Sequence, residues 1–266
     1  LASLNAQRAL DGSQGSLKTS MARLSSGLRV NSAKDDAAGL AIAERMNAQV
    51  RGMNVAIRNA NDAISLSQTA EGALGKVGDM LQRMRELAVQ SANATNGTSD
   101  RANLNAEYQA LGTEVVRTLA NTKFNGLAIL GANAGTLSFQ VGANAGETGN
   151  VVTTRLDTAV SITGATGGAI TDATLAGTAM TNIDTALTAV NGERALYGAT
   201  QNRFDAIIGT LQVAAENQAA AKSRITDADF AAETANLSRA QILQQAGSAM
   251  VAQANQLPQA VLALLR

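Results

Sequence analysis

The sequence predicts a mainly α-helical fold: a long antiparallel helical bundle or coiled coil, with a small β-hairpin region and with its N- and C-terminal helices paired. Three observations predict this class. Apolar residues recur at steps of three and four over most of the chain. Hydrophobic residues make up 45% of the sequence but aromatic residues only 2%, and there is one proline. Long helices with narrow contacts fit this composition better than a bulky globular core does.

The C-terminal stretch carries one narrow apolar stripe and no charged residue between Ala240 and Leu265. Its glutamines and Asn255 argue against a membrane span, since each amide is costly in hydrocarbon. We expect this stripe to be buried against another helix and against other copies of the chain. Its members are Leu243, Ala246, Met250, Ala254, Leu257, Val261 and Leu264.

The N-terminal segment, residues 1–30, has a matching stripe, so we expect the two ends to pair. Two ordinary core helices of a bundle are the alternative interpretation. The lack of charge over the C-terminal stretch favours a protein of several subunits. The N-terminal stripe consists of Leu10, Leu17, Met21, Leu24 and Leu28.

Long helices are expected between the two ends. Ser32 and Asp35 have the spacing of a capping box, which predicts a helix from about Ala33. Without a proline before Asn93, this helix runs for roughly 55–60 residues, or about 85 Å. A further helix is expected to end at about Asn121.

The middle of the chain predicts a small β region. Phe124-Asn125-Gly126-Leu127 is typical of a tight hairpin turn. Leu137, Phe139 and Val141 alternate with polar residues and predict a strand. Its expected partner strand contains Val152, Thr154 and Leu156. The remainder, up to Thr181, is expected to form short strands and loops.

Helix is expected to return at Asn182 and to run to a joint between Ile225 and Phe230, where Thr226-Asp227 can cap the terminal helix. The apolar seam of the returning helix should pack on the long helices. It consists of Ile183, Leu187, Val190, Tyr197, Phe204, Ile208 and Leu211.

Two domains follow from this arrangement. Residues 1–36 together with 226–266 are predicted to form a discontinuous terminal-helix domain. Residues 37–225 are predicted to form a helical rod domain, with the β region at about 123–181.

The composition argues against catalysis. The chain has no histidine and no cysteine, which excludes most nucleophile–base pairs and most transition-metal sites. The pairs Asp35-Asp36 and Asp227/Asp229 are interpreted as carboxylates at helix N-termini and not as a cation site. With a formal net charge of zero, nothing indicates nucleic-acid binding. We expect no enzyme activity and no cofactor or metal.

Several long motifs occur at the two ends of the chain and in the long helix: Ser3–Arg8, Arg23–Leu40, Gln82–Gln90 and Ser238–Gly247 with the tail to Arg266. These motifs resemble those of bacterial flagellins, and the resemblance covers about residues 1–142 and 182–266. The resemblance implies a subunit that self-polymerises into the flagellar filament for motility, with the terminal-helix domain lining an inner tube. It also implies export, unfolded, through the flagellar secretion apparatus to the extracellular flagellum. The implied partners are an export chaperone, the cap and the hook-associated proteins.

The resemblance assigns residues to two kinds of surface. Residues of both the N-terminal and the C-terminal stripe are expected to mediate polymerisation. Arg83, Leu87 and Glu107 fall where flagellins are bound by the vertebrate Toll-like flagellin receptor. Asp35 and Gly39 lie in the segment that matches the peptide of the plant flagellin receptor kinase. The polymerisation residues are Leu17, Met21, Leu24, Leu28, Leu243, Met250, Leu257, Val261 and Leu264.

Two alternatives stay open at this point. A secreted helical adhesin should have a large binding insert in the middle, where this chain has little. A hook–filament junction protein should diverge in the C-terminal Gln-rich motif, which is intact here.

Overall fold

The computed structural model describes residues 2–131, 134–152 and 160–264, with side chains except at positions 2, 3, 160 and 255–264. This part of the chain contains six helices and two small antiparallel strand pairs. The mainly α fold class and the pairing of the terminal helices are confirmed. The helices are α1 (Ala2–Ser26), α2 (Ala37–Ala92), α3 (Thr98–Asn121), α4 (Val160–Thr166), α5 (Ala173–Thr226) and α6 (Phe230–Leu264). The strands are β1 (Lys123–Phe124), β2 (Leu127–Ala128), β3 (Thr136–Gln140) and β4 (Thr148–Val152).

The chain divides into two compact units. One consists of Leu1–Val50 with Glu216–Arg266, and the other of Arg51–Ala215. The domain boundaries expected from the sequence stay a prediction.

In the first unit, backbone hydrogen bonds join the end of α1 to the start of α6. Gly27 adopts a φ of 73° and ends α1, which is the conformation that favours glycine after a helix. The Ala228 N–H donates to the Gly27 carbonyl at 2.9 Å. Leu28 forms a β-bridge with Asp227. The expectation that Leu28 continues the helical stripe is therefore wrong, because α1 ends at Ser26, two residues before Leu28.

The long helix α2 begins at Ala37, not near Ala33. Asp36 is its capping residue, since the Gly39 N–H donates to the Asp36 carboxylate at 2.8 Å. Asp35 instead accepts from the backbone N–H of Ser32 at 2.9 Å and from its hydroxyl at 3.0 Å, which closes a turn before the helix. The predicted end of this helix, just before Asn93, is confirmed.

The second unit encloses a continuous apolar core from α2, α3 and α5. The seam predicted for the returning helix joins this core, with Ile183, Val190, Tyr197 and Phe204 fully buried. Phe204 meets the ring of Phe139 edge-on at 6.3 Å between centroids. The largest side chains of the core also include Tyr108, Leu74, Leu81, Met84, Leu87 and Leu119.

The predicted hairpin between β1 and β2 is confirmed. Asn125 and Gly126 have φ values of 49° and 81°, as a two-residue hairpin turn with matching twist requires. A strand pair is also present as β3 and β4, with Leu137 opposite Val151. It lies earlier in the chain than predicted, because β3 ends before Val141 and β4 ends at Val152, where the expected partner strand begins. Thr154 and Leu156, expected in the partner strand, lie outside the described residues.

The stretch up to Thr181 differs from the prediction of short strands and loops. Helix α4 lies within it, and α5 begins at Ala173, well before Asn182. Asp172 caps α5, since its carboxylate accepts from the Thr174 and Leu175 N–H groups at 2.8 Å each. The first turns of α5 give only a weak apolar signal in the sequence, because their buried positions, Ala176 and Ala179, are alanines.

The joint between α5 and α6 lies where the sequence places it, but its capping residue differs. Asp229 caps α6 by accepting from the Ala231 N–H at 2.9 Å. Asp227, the residue expected to cap, instead accepts from the hydroxyls of Ser223 at 2.5 Å and Thr226 at 2.9 Å.

Two buried tyrosines should respond differently to loss of their hydroxyl. The Tyr108 hydroxyl donates to the Ala165 carbonyl and ties α3 to α4, whereas the Tyr197 hydroxyl has no partner among the described residues. We expect Tyr108→Phe to lower the free energy of unfolding by about 1 kcal/mol, and Tyr197→Phe to leave it unchanged or to raise it. Urea unfolding midpoints at equal slope measure both. Equal losses in the two variants would contradict this assignment.

Candidate functional site

The terminal helices α1 and α6 run antiparallel and meet along a seam of small and half-buried side chains. The Leu10 side chain lies 3.1 Å from the point where a Cβ on Gly247 would stand, so glycine permits the close approach. Ser13 and Ser20 are buried on α1, and Ala240 on α6. Residues of α6 that face the seam without full burial are Leu237, Gln244, Gly247, Val251 and Ala254.

The seam ends in an ion pair. Arg23 Nη1 lies 3.8 Å from Glu233 Oε2, and the Glu233 side chain is only 10% exposed. A charge this far removed from water is stabilised only when it is paired. The pair therefore fixes the relative position of α1 and α6 at this end.

The two described Leu and Met residues of the α6 stripe, Leu243 and Met250, are not buried against α1, which corrects the expected stripe-to-stripe pairing for this part of α6. Leu243 is 52% exposed and Met250 62% exposed. The seam instead consists of positions 240, 244, 247 and 251. Positions 244, 247 and 251 each lie one residue after a stripe residue, and one residue corresponds to a rotation of about 100° around the helix axis. At Gly247 the absence of a side chain leaves room for Leu10 of α1.

Some of the predicted polymerisation residues of α1 lie in the seam, and one is exposed to solvent. Leu17 and Leu24 are half-buried in the seam. Met21 is 57% exposed, on a different face of the helix. Leu257, Val261 and Leu264 lie outside the residues whose side chains are described. A signal for the true seam is present in the sequence, since Ser13 and Ser20, like Ala240 and Gly247, are seven residues apart.

A groove of about 750 Å³ runs along one side of the α1–α6 pair. Apart from Asn5, the side chains that line this groove are apolar or small, and none of them is charged. Exposed apolar surface of this kind marks a site of association with another protein surface. The lining includes Ala9, Gly12 and Ser16 from α1, and Leu243, Ala246 and Met250 from α6.

Arg83 and Glu107 are brought together on the surface of the second unit. Arg83 Nε donates to Glu107 Oε1 at 2.9 Å, and Nη1 donates to Glu86 at 2.9 Å. These two bonds to carboxylates raise the pKa of Arg83. Leu87 is fully buried in the core and does not share this surface. The three residues expected at the receptor site therefore do not share one exposed surface, because Leu87 lies on the inward side of α2.

Asp35 and Gly39 lie at the start of α2 in different environments. Asp35 is exposed, and hydrogen bonds from the Ser32 hydroxyl and from the backbone of Ser32 and Asn31 lower the pKa of its carboxyl. Gly39 is buried, and a Cβ there would overlap the Asp36 carboxylate. A larger residue at position 39 would therefore displace the Asp36 carboxylate from its position at the cap of α2.

The lowered pKa of Asp35 gives a pH prediction. The ionised Asp35 carboxylate stabilises this turn at pH values above the pKa that the carboxyl has in the unfolded chain. This stabilisation is lost as the pH falls through the lower pKa that the same carboxyl has in the folded chain. We expect Ser32→Ala to raise the pKa of Asp35 towards its ordinary value, so that the turn opens at higher pH. Titration by nuclear magnetic resonance measures this. Ser26→Ala, which removes a hydroxyl without contact to Asp35, is the control. An unchanged pKa in Ser32→Ala would refute the assigned cause.

No cluster of three or more acidic side chains that could hold a metal ion occurs among the described residues. None of the described helices is long and apolar enough to cross a membrane.

Comparison with known proteins identifies the family. The bacterial flagellin N-terminal helical region matches residues 1–134, and the bacterial flagellin C-terminal helical region matches residues 180–265. A flagellin of Halalkalibacterium halodurans is 49% identical, with 100% of this chain and 98% of the relative covered. Flagellin A of Vibrio cholerae is 36% identical over 371 positions, with 100% and 98% covered. That alignment is longer than this chain, so the Vibrio protein contains residues without a counterpart here.

Solved structures agree with this assignment. The crystal structure of Bacillus cereus flagellin is 34% identical, with a TM-score of 0.52, and the match covers 62% of this chain and 94% of that one. A putative flagellar hook-associated protein from Vibrio parahaemolyticus has a TM-score of 0.61 at 15% identity, covering 73% and 100%. This second likeness shows the fold alone. From the two family regions and the full-length relatives together, the chain belongs to the bacterial flagellin family.

Proposed function

We propose that this flagellin is a structural subunit that self-polymerises into the flagellar filament through the α1–α6 pair. The observation that carries the proposal is the large apolar surface left on this pair after the two helices have packed on each other. Leu243, Met250 and Ile242 are each more than half exposed. A family of filament subunits supplies the partner for such a surface, namely further copies of the same chain.

The energetic argument for assembly is simple. Full burial of one Leu or Met side chain contributes roughly 1.5–3 kcal/mol. No charged residue occurs between Ala240 and Leu265, so contacts along this part of α6 carry no cost for removing its own charges from water. Repeated in every subunit, several such contacts favour a stable polymer.

A charge placed on the exposed stripe should prevent assembly without unfolding the subunit. Met250→Asp is tolerated in the single chain because position 250 is exposed. In the polymer it would bury an unpaired charge, at a cost of several kcal/mol. We expect the critical concentration to rise by about 100-fold or more, since each 1.4 kcal/mol is tenfold. Sedimentation and negative-stain microscopy measure it.

Gln245→Asp is the matched control. Gln245 is exposed on the same helix but lies about 200° round it from Leu243. It should polymerise nearly as the unaltered chain does. Normal filaments from Met250→Asp would sink the assignment of this stripe to the interface.

We further propose export of the unfolded chain through the flagellar secretion apparatus to the extracellular filament. The absence of cysteine supports this, because no disulfide has to be reduced before passage. An exposed apolar stripe also needs cover before assembly, which supports an export chaperone as partner. Cap and hook-associated proteins are proposed as further partners at the filament ends, through the same terminal helices.

Recognition by host receptors is proposed for two surfaces. Arg83 and Glu107 form a fixed charged pair that a Toll-like flagellin receptor can bind. Arginine suits this role because its planar group donates several hydrogen bonds in a fixed geometry. Leu87 supports this helix from the core. The segment around Asp35 and Gly39 is proposed for the plant flagellin receptor kinase, with Asp35 as the exposed contact.

Arg83→Ala should abolish or strongly reduce signalling in reporter cells that carry the Toll-like receptor. Arg85→Ala is the matched control, since Arg85 lies two residues away and also loses a carboxylate partner, Asp184 at 2.7 Å. We expect Arg85→Ala to signal normally. Cross-linked filaments should be silent if neighbouring copies cover the same surface. Equal responses to the two variants would remove Arg83 from the receptor site.

The fold is shared with a putative hook-associated protein, so the fold by itself leaves a junction protein as an alternative. The full-length relative that is 49% identical is a flagellin, and this favours the filament subunit over both the junction protein and an adhesin. Long filaments from the purified chain would support it, and their absence would favour the alternatives.

A further inference from the structure

The sequence contains three Asn-Gly pairs, which begin at Asn96, Asn125 and Asn191. An asparagine before glycine can lose its side-chain amide, because glycine has no Cβ to hinder attack by its backbone nitrogen. The three pairs lie in three different backbone environments. We propose that Asn125 is a site of spontaneous deamidation in the folded chain, and that the fold protects Asn96 and Asn191.

The reaction requires only water in addition to the chain. The backbone nitrogen of Gly126 bonds to Cγ of Asn125, and the bond from Cγ to Nδ2 breaks. The amide group leaves as ammonia with the proton that the Gly126 nitrogen gives up. Water then opens the cyclic imide at one of its two carbonyls. One opening gives aspartate and the other gives isoaspartate, and each product carries a new carboxylate.

The hairpin turn leaves Asn125 free to react. Asn125 and Gly126 are both exposed at the tip between β1 and β2. Among the described residues, neither the Asn125 amide nor the Gly126 N–H has a hydrogen-bond partner. No other atom lies within 4 Å of the position that a Cβ on Gly126 would occupy. Attack therefore needs rotation of Asn125, but neither its side-chain amide nor the Gly126 N–H first has to leave a hydrogen-bond partner.

The other two pairs are held by hydrogen bonds. The Gly97 N–H donates to the Asp100 carboxylate at 3.0 Å, and the Asn96 amide donates to the Gln90 carbonyl at 2.5 Å. Asn191 lies within α5, where the N–H of the next residue belongs to the helical hydrogen-bond ladder. Reaction at Asn191 therefore requires local unfolding of α5.

Deamidation would alter a specific surface. Asn125 borders a groove of about 640 Å³ whose lining also includes Asp62, Leu66 and Phe139. A carboxylate at position 125 adds a second negative charge to this groove. Isoaspartate also lengthens the backbone of the two-residue turn, which disturbs the pairing of Lys123 with Ala128. The hairpin thus acquires charge and changes shape as the chain ages.

The test follows all three sites in one sample. The purified full chain is incubated in mildly alkaline buffer and digested at intervals, and mass spectrometry measures the deamidated fraction of each Asn-Gly peptide. We expect Asn125 to react at least about tenfold faster than Asn191, because Asn191 must await local opening. In concentrated urea the three rates should converge. A rate at Asn125 no higher than that at Asn191 in the folded chain would overturn the proposal.

Asp100→Ala provides a second, independent test. This variant frees the Gly97 N–H, so the rate at Asn96 should rise towards that at Asn125. The rate at Asn125 should not change, because Asp100 does not contact the hairpin turn. If Asn96 already reacts as fast as Asn125 in the unaltered chain, protection by these hydrogen bonds is refuted.

Discussion

The packing of the first unit, which contains both ends of the chain, depends on the close approach of α1 and α6. Two helices can approach closely only where their facing side chains are small. Here Gly247 of α6 lies against Leu10 of α1, and Ser13, Ser20 and Ala240 are buried on the two helices. A bulky residue at Gly247 would collide with Leu10. The seam therefore leaves no place for Leu243 and Met250, which stay on the surface. The close approach of α1 and α6 therefore determines two things: how these helices pack within the subunit, and which apolar side chains remain exposed for other subunits.

In the second unit the large apolar side chains are buried, in contrast to the exposed Leu243 and Met250 of α6. Large side chains such as Leu74, Tyr108 and Phe204 are fully buried there, in a core built from three long helices and the β3–β4 pair. Truncation of such residues typically costs several kcal/mol. The unit thus has the features of a self-sufficient core, whereas the terminal pair leaves much of its apolar surface uncovered. This division suits a subunit whose ends complete their packing on assembly.

Two neighbouring arginines of α2 show how surface charge is organised. Arg83 reaches Glu107 on α3, and Arg85 reaches Asp184 on α5. Exposed ion pairs of this kind contribute little to stability. Their effect is to hold the guanidinium groups in fixed positions, which matters more for recognition than for folding.

The sequence by itself determined the fold class, the paired ends, the seam of α5, the hairpin at Asn125-Gly126 and the family, because strong periodicity and specific turn residues are local signals. The resemblance also assigned Arg83 and Glu107 to one site, and the structure joins them in an ion pair. Only the tertiary structure decided which face of α6 meets α1, that Leu87 is buried, and that α5 begins at Ala173. These depend on how closely two backbones approach and on which residue supplies a cap. Small residues such as Gly247 decide such contacts although they add almost nothing to an apolar pattern.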